Sequence, residues 1–287
     1  MVCLMTRVHI TEFTDPGCPW AFSAEPHKRR LDWLFGEQLT WSSVMVGLSE
    51  DVSQYEGTGF TPEVMAGAIR KMAADLGMPM DSAVKPRMSA TWPACLAVIG
   101  ARLHASSPGA SRDLLRALRV RYFSGGLLDD PELIAAAARD AGLDPADVAT
   151  WAAGEDAAAA LAADMDRARH PLPAALALDH KLASWEGGRR YTCPSLEFSA
   201  EGRETVVGAG FQTLPAYEVL LANLVPTLER RATPEDVAEV LTWAGEPLST
   251  MEVATVCELE LPETRERLSR VAVERPVGTD GYWSLAA

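Results

Sequence analysis

Apolar and polar residues alternate along residues 7–14, Arg-Val-His-Ile-Thr-Glu-Phe-Thr, with the period of a half-buried strand. Asp15-Pro16-Gly17 breaks that run, and Cys18 follows directly. Over residues 21–35, Phe22, Leu31, Leu34 and Phe35 recur among charged positions as on one face of a helix, and Gly36 supplies a stop. Residues 38–46 read as a second strand. From Thr61 to Lys181 the chain turns rich in Ala, Leu and Arg. There Thr61-Pro62-Glu63, Asp130-Pro131-Glu132 and Asp144-Pro145-Ala146 each set a capping side chain before a proline at the first helical position. The alanine-rich residues 155–168 are helical by propensity. Strand character returns over residues 191–198. A turn at Ala200-Glu201-Gly202 and a partner over 204–207 complete a hairpin, and a helix runs from near Pro215 towards Glu229. This order predicts an α/β domain with a block of helices inserted after its first half.

The tail has a different rhythm. Thr233-Pro234-Glu235 opens a helix, Ser249 caps a second and Pro262 opens a third, while residues 271–277 and 281–285 form two short strands. Three helices and a terminal hairpin describe a winged-helix-like unit. The predicted division is therefore 1–231, with the insertion at about 61–183, and 232–287.

Composition narrows the function classes. Of 287 residues, 48% are apolar and 23% charged, ordinary for a soluble globular protein. The net charge of −14 disfavours a nucleic-acid backbone as partner. Within 232–287, eleven acidic side chains face four basic ones, and Glu263 and Glu266 dilute Arg265, Arg267 and Arg270. That composition favours a packing or dimerisation module over DNA binding. Neither a basic-then-apolar leader nor a membrane-length apolar run is present, so the expected location is the cytoplasm, with no membrane partner. Five cysteines (Cys3, Cys18, Cys95, Cys193, Cys257) are odd in number and scattered, unlike a disulfide framework. The five histidines lack zinc-ligand spacing, and no metal is expected.

Cys18 carries the clearest chemistry. A cysteine directly before a helix meets unpaired N–H groups that stabilise the thiolate, the nucleophilic form. Asp15-Pro16-Gly17-Cys18-Pro19-Trp20 resembles the Asp-Pro-x-Cys-Pro-Trp-Cys start of DsbA-family oxidoreductases, in particular the FrnE-like branch, over roughly residues 7–230. The resemblance implies a thioredoxin fold with a large helical insertion. It also implies that Pro194, in Thr192-Cys193-Pro194, is the family's cis-proline, which places Cys193 beside the reactive sulfur. Ala21 stands where the family has its second cysteine, so the local dithiol cycle is excluded.

The predicted activity is thiol-disulfide exchange or reduction of mixed disulfides by Cys18, with Cys193 as the candidate resolving thiol. Pro19, Trp20, Thr192 and Pro194 would border the substrate. Arg87, Thr91 and Trp92 would contribute from the inserted block, although for Trp92 and Cys95 core packing is the stronger reading. Arg189 and Arg190 are candidates for an anionic group on the substrate, and His180 is a weaker candidate at the cleft. The substrate would be a protein or small-molecule thiol or disulfide. No cofactor is required, a low-molecular-weight thiol being the one candidate, and a homodimer is left open. Two alternatives stand beside this reading: a kappa-class-transferase or isomerase-like enzyme on a small organic molecule, and a non-catalytic thioredoxin-fold binding module.

Overall fold

A computed structural model describes residues 7–286. Strand β1 (Val8–Thr14) leads into helices α1 (Pro19–Ser23) and α2 (Glu25–Phe35), which cross over to β2 (Leu39–Met45), parallel to β1. The single helix expected over 21–35 is two. Pro26 has no N–H to give the Phe22 carbonyl, and the ladder breaks at Ala24, which ends α1 and begins α2.

The insertion holds α3 (Pro62–Leu76), α4 (Trp92–His104), α5 (Ala110–Phe123), α6 (Pro131–Asp140), α7 (Pro145–Ala152), α8 (Glu155–Ala168) and the short α9 (Pro173–Leu176). Thr61, Asp130 and Asp144 accept from the N–H groups of Val64, Glu132 and Ala146, as their sequence predicts. Val98, Ile99, Leu114, Leu118 and Leu161 share a core with several alanines. Small residues let the helices approach closely: a Cβ at Gly100 would stand 2.7 Å from the Cβ of Trp151. Asp164 of α8 pins this block to the sheet, accepting the Met45 N–H at 2.8 Å and holding Arg102 in two bonds of 2.9 and 3.1 Å.

A hairpin of β3 (Ala183–Trp185) and β4 (Gly188–Arg190) follows. Then β5 (Ser195–Ala200) runs antiparallel to β1, and β6 (Val206–Gly208) antiparallel to β5, giving the sheet order β2-β1-β5-β6. The strand expected from residue 191 begins only at Ser195, because the Tyr191 N–H is committed to the Ala168 carbonyl at 2.8 Å. Helix α10 (Leu214–Leu224) ends before Glu229, since Val225 precedes Pro226 and leaves the helical conformation.

The tail comprises α11 (Val237–Ala244), β7 (Leu248–Ser249), α12 (Thr250–Cys257), α13 (Leu261–Leu268), β8 (Ala272–Val277) and β9 (Asp280–Leu285). Its three strands form a separate small sheet in the order β7-β9-β8. Asp236, not Thr233, caps α11; the Thr233 hydroxyl turns to Glu258 instead. The tail does not stand apart. Val240, Leu241, Val253, Val256, Leu268 and Trp283 belong to one apolar cluster with Ile10, Leu31, Trp33, Phe198 and Leu221.

A second seam is ionic and buried. Lys28 Nζ lies 3.0 Å from Glu12 and 2.8 Å from Glu25. Arg119, wholly buried, bonds Glu25 and the Thr14 hydroxyl and lies 3.4 Å from Glu12. Arg116 lies 2.7 Å from Glu252, whose carboxylate also closes a capping box with Ser249. One network thus joins β1, α2, the inserted α5 and the tail.

Candidate active site

Cys18 occupies the residue before α1 and is 5% exposed. Its N–H donates to the Asp15 carbonyl at 3.2 Å, and its own carbonyl accepts from Phe22 at 3.0 Å. Gly17 keeps the turn tight against α4: a Cβ there would lie 2.7 Å from the Thr91 methyl. The Cys18 thiol donates to the Cys193 carbonyl oxygen at 3.3 Å, and the Cys193–Pro194 peptide bond is cis. Two cysteines 175 residues apart in sequence therefore meet at one point.

Their proton affinities diverge. Hydrogen bonding from the Cys193 thiol holds Cys18 below the ordinary thiol range against the opposing effect of burial, and the Ala21 N–H adds to it. The charge of Asp15 works the other way, and that of Arg119 helps. Cys193, donating to that sulfur and buried, is held well above the ordinary range. The first proton therefore leaves Cys18. Because α1 spans a single turn, the support comes from one local N–H and a neighbouring thiol rather than from a long helix dipole.

Trp20 is the exposed wall of the site, 46% accessible, with its ring edge-on to Phe211 at 5.5 Å. Phe211 also flanks His27, whose burial pushes it down to about 4, so the imidazole is neutral at physiological pH. Pro19 and Thr192 are half-buried beside the pair, and the Thr192 carbonyl accepts the Ser195 hydroxyl at 2.7 Å. Ala21 is fully buried in α1.

The candidates from the insertion lie differently. Arg87 pairs with Asp129 at 2.6 Å and lines a cleft with Lys85, Tyr122 and Phe123; neither its hydrogen bonds nor its ion pair involves the cysteines. Trp92 is half-buried against Gly47, and its neighbour Thr91 is the one that reaches the Cys18 turn. Cys95 donates to Asp15 at 3.6 Å and is raised well above the ordinary range by burial. Arg189 is committed to Asp179, while Arg190 stays half-buried near Cys193 with a bond of 2.9 Å to the Tyr191 carbonyl. His180 is exposed, Cys257 is buried in the tail, and Cys3 lies outside the described residues. Among the described residues no cluster of His, Cys, Asp and Glu has the form of a metal site.

Sequence reasoning passes over three residues that the fold brings to this place. Asp15 reads as a strand breaker, Arg119 as one more arginine on a helix, and Phe211 carries no motif. A signal exists only for Asp15, through its fixed spacing ahead of Cys18.

No family model matches the sequence, and no curated protein does. Solved structures do. A protein of Nitrosomonas europaea assigned to the protein disulfide isomerases superposes with a TM-score of 0.57 at 16% identity, covering 76% of this chain and 97% of its own. The cytosolic disulfide reductase DsbM of Pseudomonas aeruginosa gives 0.52 at 14% identity, covering 75% and 97%. A Streptomyces coelicolor protein assigned to the DsbA oxidoreductases gives 0.52 at 16%, covering 80% and 94%. At such identities the likeness is one of fold. The chain has the thioredoxin-like α/β fold of the DsbA oxidoreductases, with a helical insertion between its two halves.

Proposed function

We propose that this protein is a thiol-disulfide oxidoreductase in which Cys18 attacks and Cys193 resolves. The observation that carries the reading is the contact of Cys18 Sγ with the main-chain carbonyl oxygen of Cys193 at 3.3 Å, which sets the two cysteines side by side in a chain whose usual second cysteine is the buried Ala21. The Cys18 thiolate attacks a substrate disulfide, forms a mixed disulfide and expels the other sulfur as a thiolate. Cys18 then no longer carries charge. The hydrogen bond and repulsion that hold the proton on Cys193 disappear with it. Cys193 can ionise, attack Cys18 Sγ and expel the second substrate sulfur, leaving a Cys18–Cys193 disulfide. Two equivalents of an external thiol return both cysteines to the reduced form and leave as their own disulfide.

Trp20, Pro19, Thr192 and Pro194 border the approach to the sulfur and would contact the substrate. Residues 232–287 act, in this reading, as a winged-helix-like packing module. Its helix α13 supports this: Arg265 is held by Glu274 and Asp280, Arg267 by Glu263 and Arg270 by Glu266, so these guanidinium groups are already paired.

Mild oxidation of the reduced protein with diamide, followed by non-reducing peptide mapping, tests the pairing. A peptide linked through Cys18 and Cys193 is expected as the main product, and Cys193→Ala should instead leave Cys18 blocked by added small thiols. Oxidised protein with Cys18 modified and Cys193 free would remove Cys193 as the resolving thiol.

A further inference from the structure

The buried acids Glu12, Glu25 and Glu252 all lie against lysine or arginine. Asp15 is an exception. It is fully buried, and among the described residues it forms no ion pair. Its carboxyl is satisfied by four neutral donors instead. Oδ1 accepts the Gly17 N–H at 2.8 Å; Oδ2 accepts the Leu48 N–H at 2.8 Å, the Thr91 hydroxyl at 3.0 Å and the Cys95 thiol at 3.6 Å. These donors come from the Cys18 turn, the segment after β2 and the start of α4. The main-chain carbonyl of the same residue takes the Cys18 N–H at 3.2 Å. One residue therefore fixes the turn and ties it to the inserted block.

Both protonation states of this carboxyl can be hydrogen-bonded. With Asp15 ionised, Thr91 donates to it. With Asp15 protonated, the carboxylic acid can donate to Thr91 Oγ1, whose own proton has the Ser49 carbonyl 3.5 Å away. The titratable groups around it are Cys18 on its own turn, Cys95 on α4, Tyr55 from the short turn after β2, Tyr122 on α5 and Cys193 across the site. None of them brings positive charge. Burial raises Asp15 above the ordinary aspartate range, and four hydrogen bonds only partly offset that.

We propose that Asp15 is a positioning residue whose proton is linked to that of Cys18, the ionisation of each group disfavouring that of the other until the sulfur is bonded in a disulfide. The physical basis is that two negative charges in one dry region disfavour each other, so the two groups titrate as a pair. The inference rests on the reading of Cys18 as the reactive thiol.

The test is the pH profile of Cys18 alkylation by iodoacetamide, followed peptide by peptide in wild type and Asp15→Asn. The midpoint in Asp15→Asn is expected to fall by roughly one pH unit; an unchanged midpoint overturns the linkage. A wild-type midpoint at or above that of a free thiol would instead contradict the reading of Cys18, and the difference between the two proteins would still decide the linkage. Should Asp15→Asn fail to fold, infrared titration of 13C-labelled aspartate compares wild type with Cys18→Ser. Loss of the thiolate should move the Asp15 midpoint to lower pH, and coincident midpoints overturn the proposal.

Discussion

Arg119→Met is expected to destabilise the fold by about 3–5 kcal/mol, among the largest effects of any single substitution in the chain. The guanidinium is wholly buried and bonds Glu25 and Thr14, with Glu12 at 3.4 Å. Methionine fills similar volume but leaves the buried Glu12 and Glu25 carboxylates to share Lys28, with Arg116 4.0 Å from Glu25. Removing one partner of a buried ion pair costs far more than the pair contributes, because the remaining charge stays desolvated. A thermal midpoint lower by on the order of 10 °C follows. Adding Glu25→Gln to Arg119→Met should recover part of the loss, since one uncompensated charge is then gone. A double variant less stable than the single one, or a midpoint in Arg119→Met within about 2 °C of wild type, would show that the network is not arranged as described.

The second large effect is acid lability. Burial alone would raise Glu25, Glu12 and Glu252. The facing cations reverse this: Lys28 and Arg119 hold Glu12 and Glu25 below the ordinary value of 4.5, Arg116 adding to the hold on Glu25, and Arg116 and Arg29 do the same for Glu252. A folded-state value below the unfolded one means that the unfolded chain binds protons first as pH falls. The stability these groups contribute is therefore complete above about pH 5 and is lost progressively below it. Asp15 and Asp280, raised by burial, work with the opposite sign and soften the early part of the decline. Urea midpoints measured by circular dichroism should hold steady between pH 7 and 5 and then fall steeply towards pH 3. Constant midpoints down to pH 3.5 would contradict the arrangement. Because the network joins α2, α5 and α12, near-ultraviolet signals from the body and the tail should be lost together.

What the sequence shows of this molecule is what local chemistry decides. Strand β1, the capped prolines at Asp130 and Asp144, and the Cys18 turn are written in neighbouring residues, and each appears in the structure, although β1 is buried at every position but His9 rather than on one face. The break at Ala24 is written there too, in Pro26, but it hides inside a helical apolar period. Strand β7 is two residues long and exists only through its pairing with β9, which lies more than thirty residues away. The buried charges are the least legible feature. Arg116 and Arg119 sit on α5 with the spacing of an ordinary solvated face, and only the arrival of Glu12, Glu25 and Glu252 from three other elements makes that face interior. Asp15 illustrates the same limit at the site. Its place before Cys18 is visible, whereas the partners that define it, Thr91 and Cys95, enter from a helix more than seventy residues later.

In this reading Cys18 is a thiolate stabilised by Cys193. Stopped-flow thiolate absorbance at 240 nm, titrated against pH in wild type, Cys18→Ser and Cys193→Ala, measures it directly. The difference between wild type and Cys18→Ser should show a Cys18 midpoint clearly below the ~8.5 of a free cysteine, and Cys193→Ala should move that midpoint upward. A Cys18 midpoint at or above 8.5, or one indifferent to Cys193→Ala, would contradict the account.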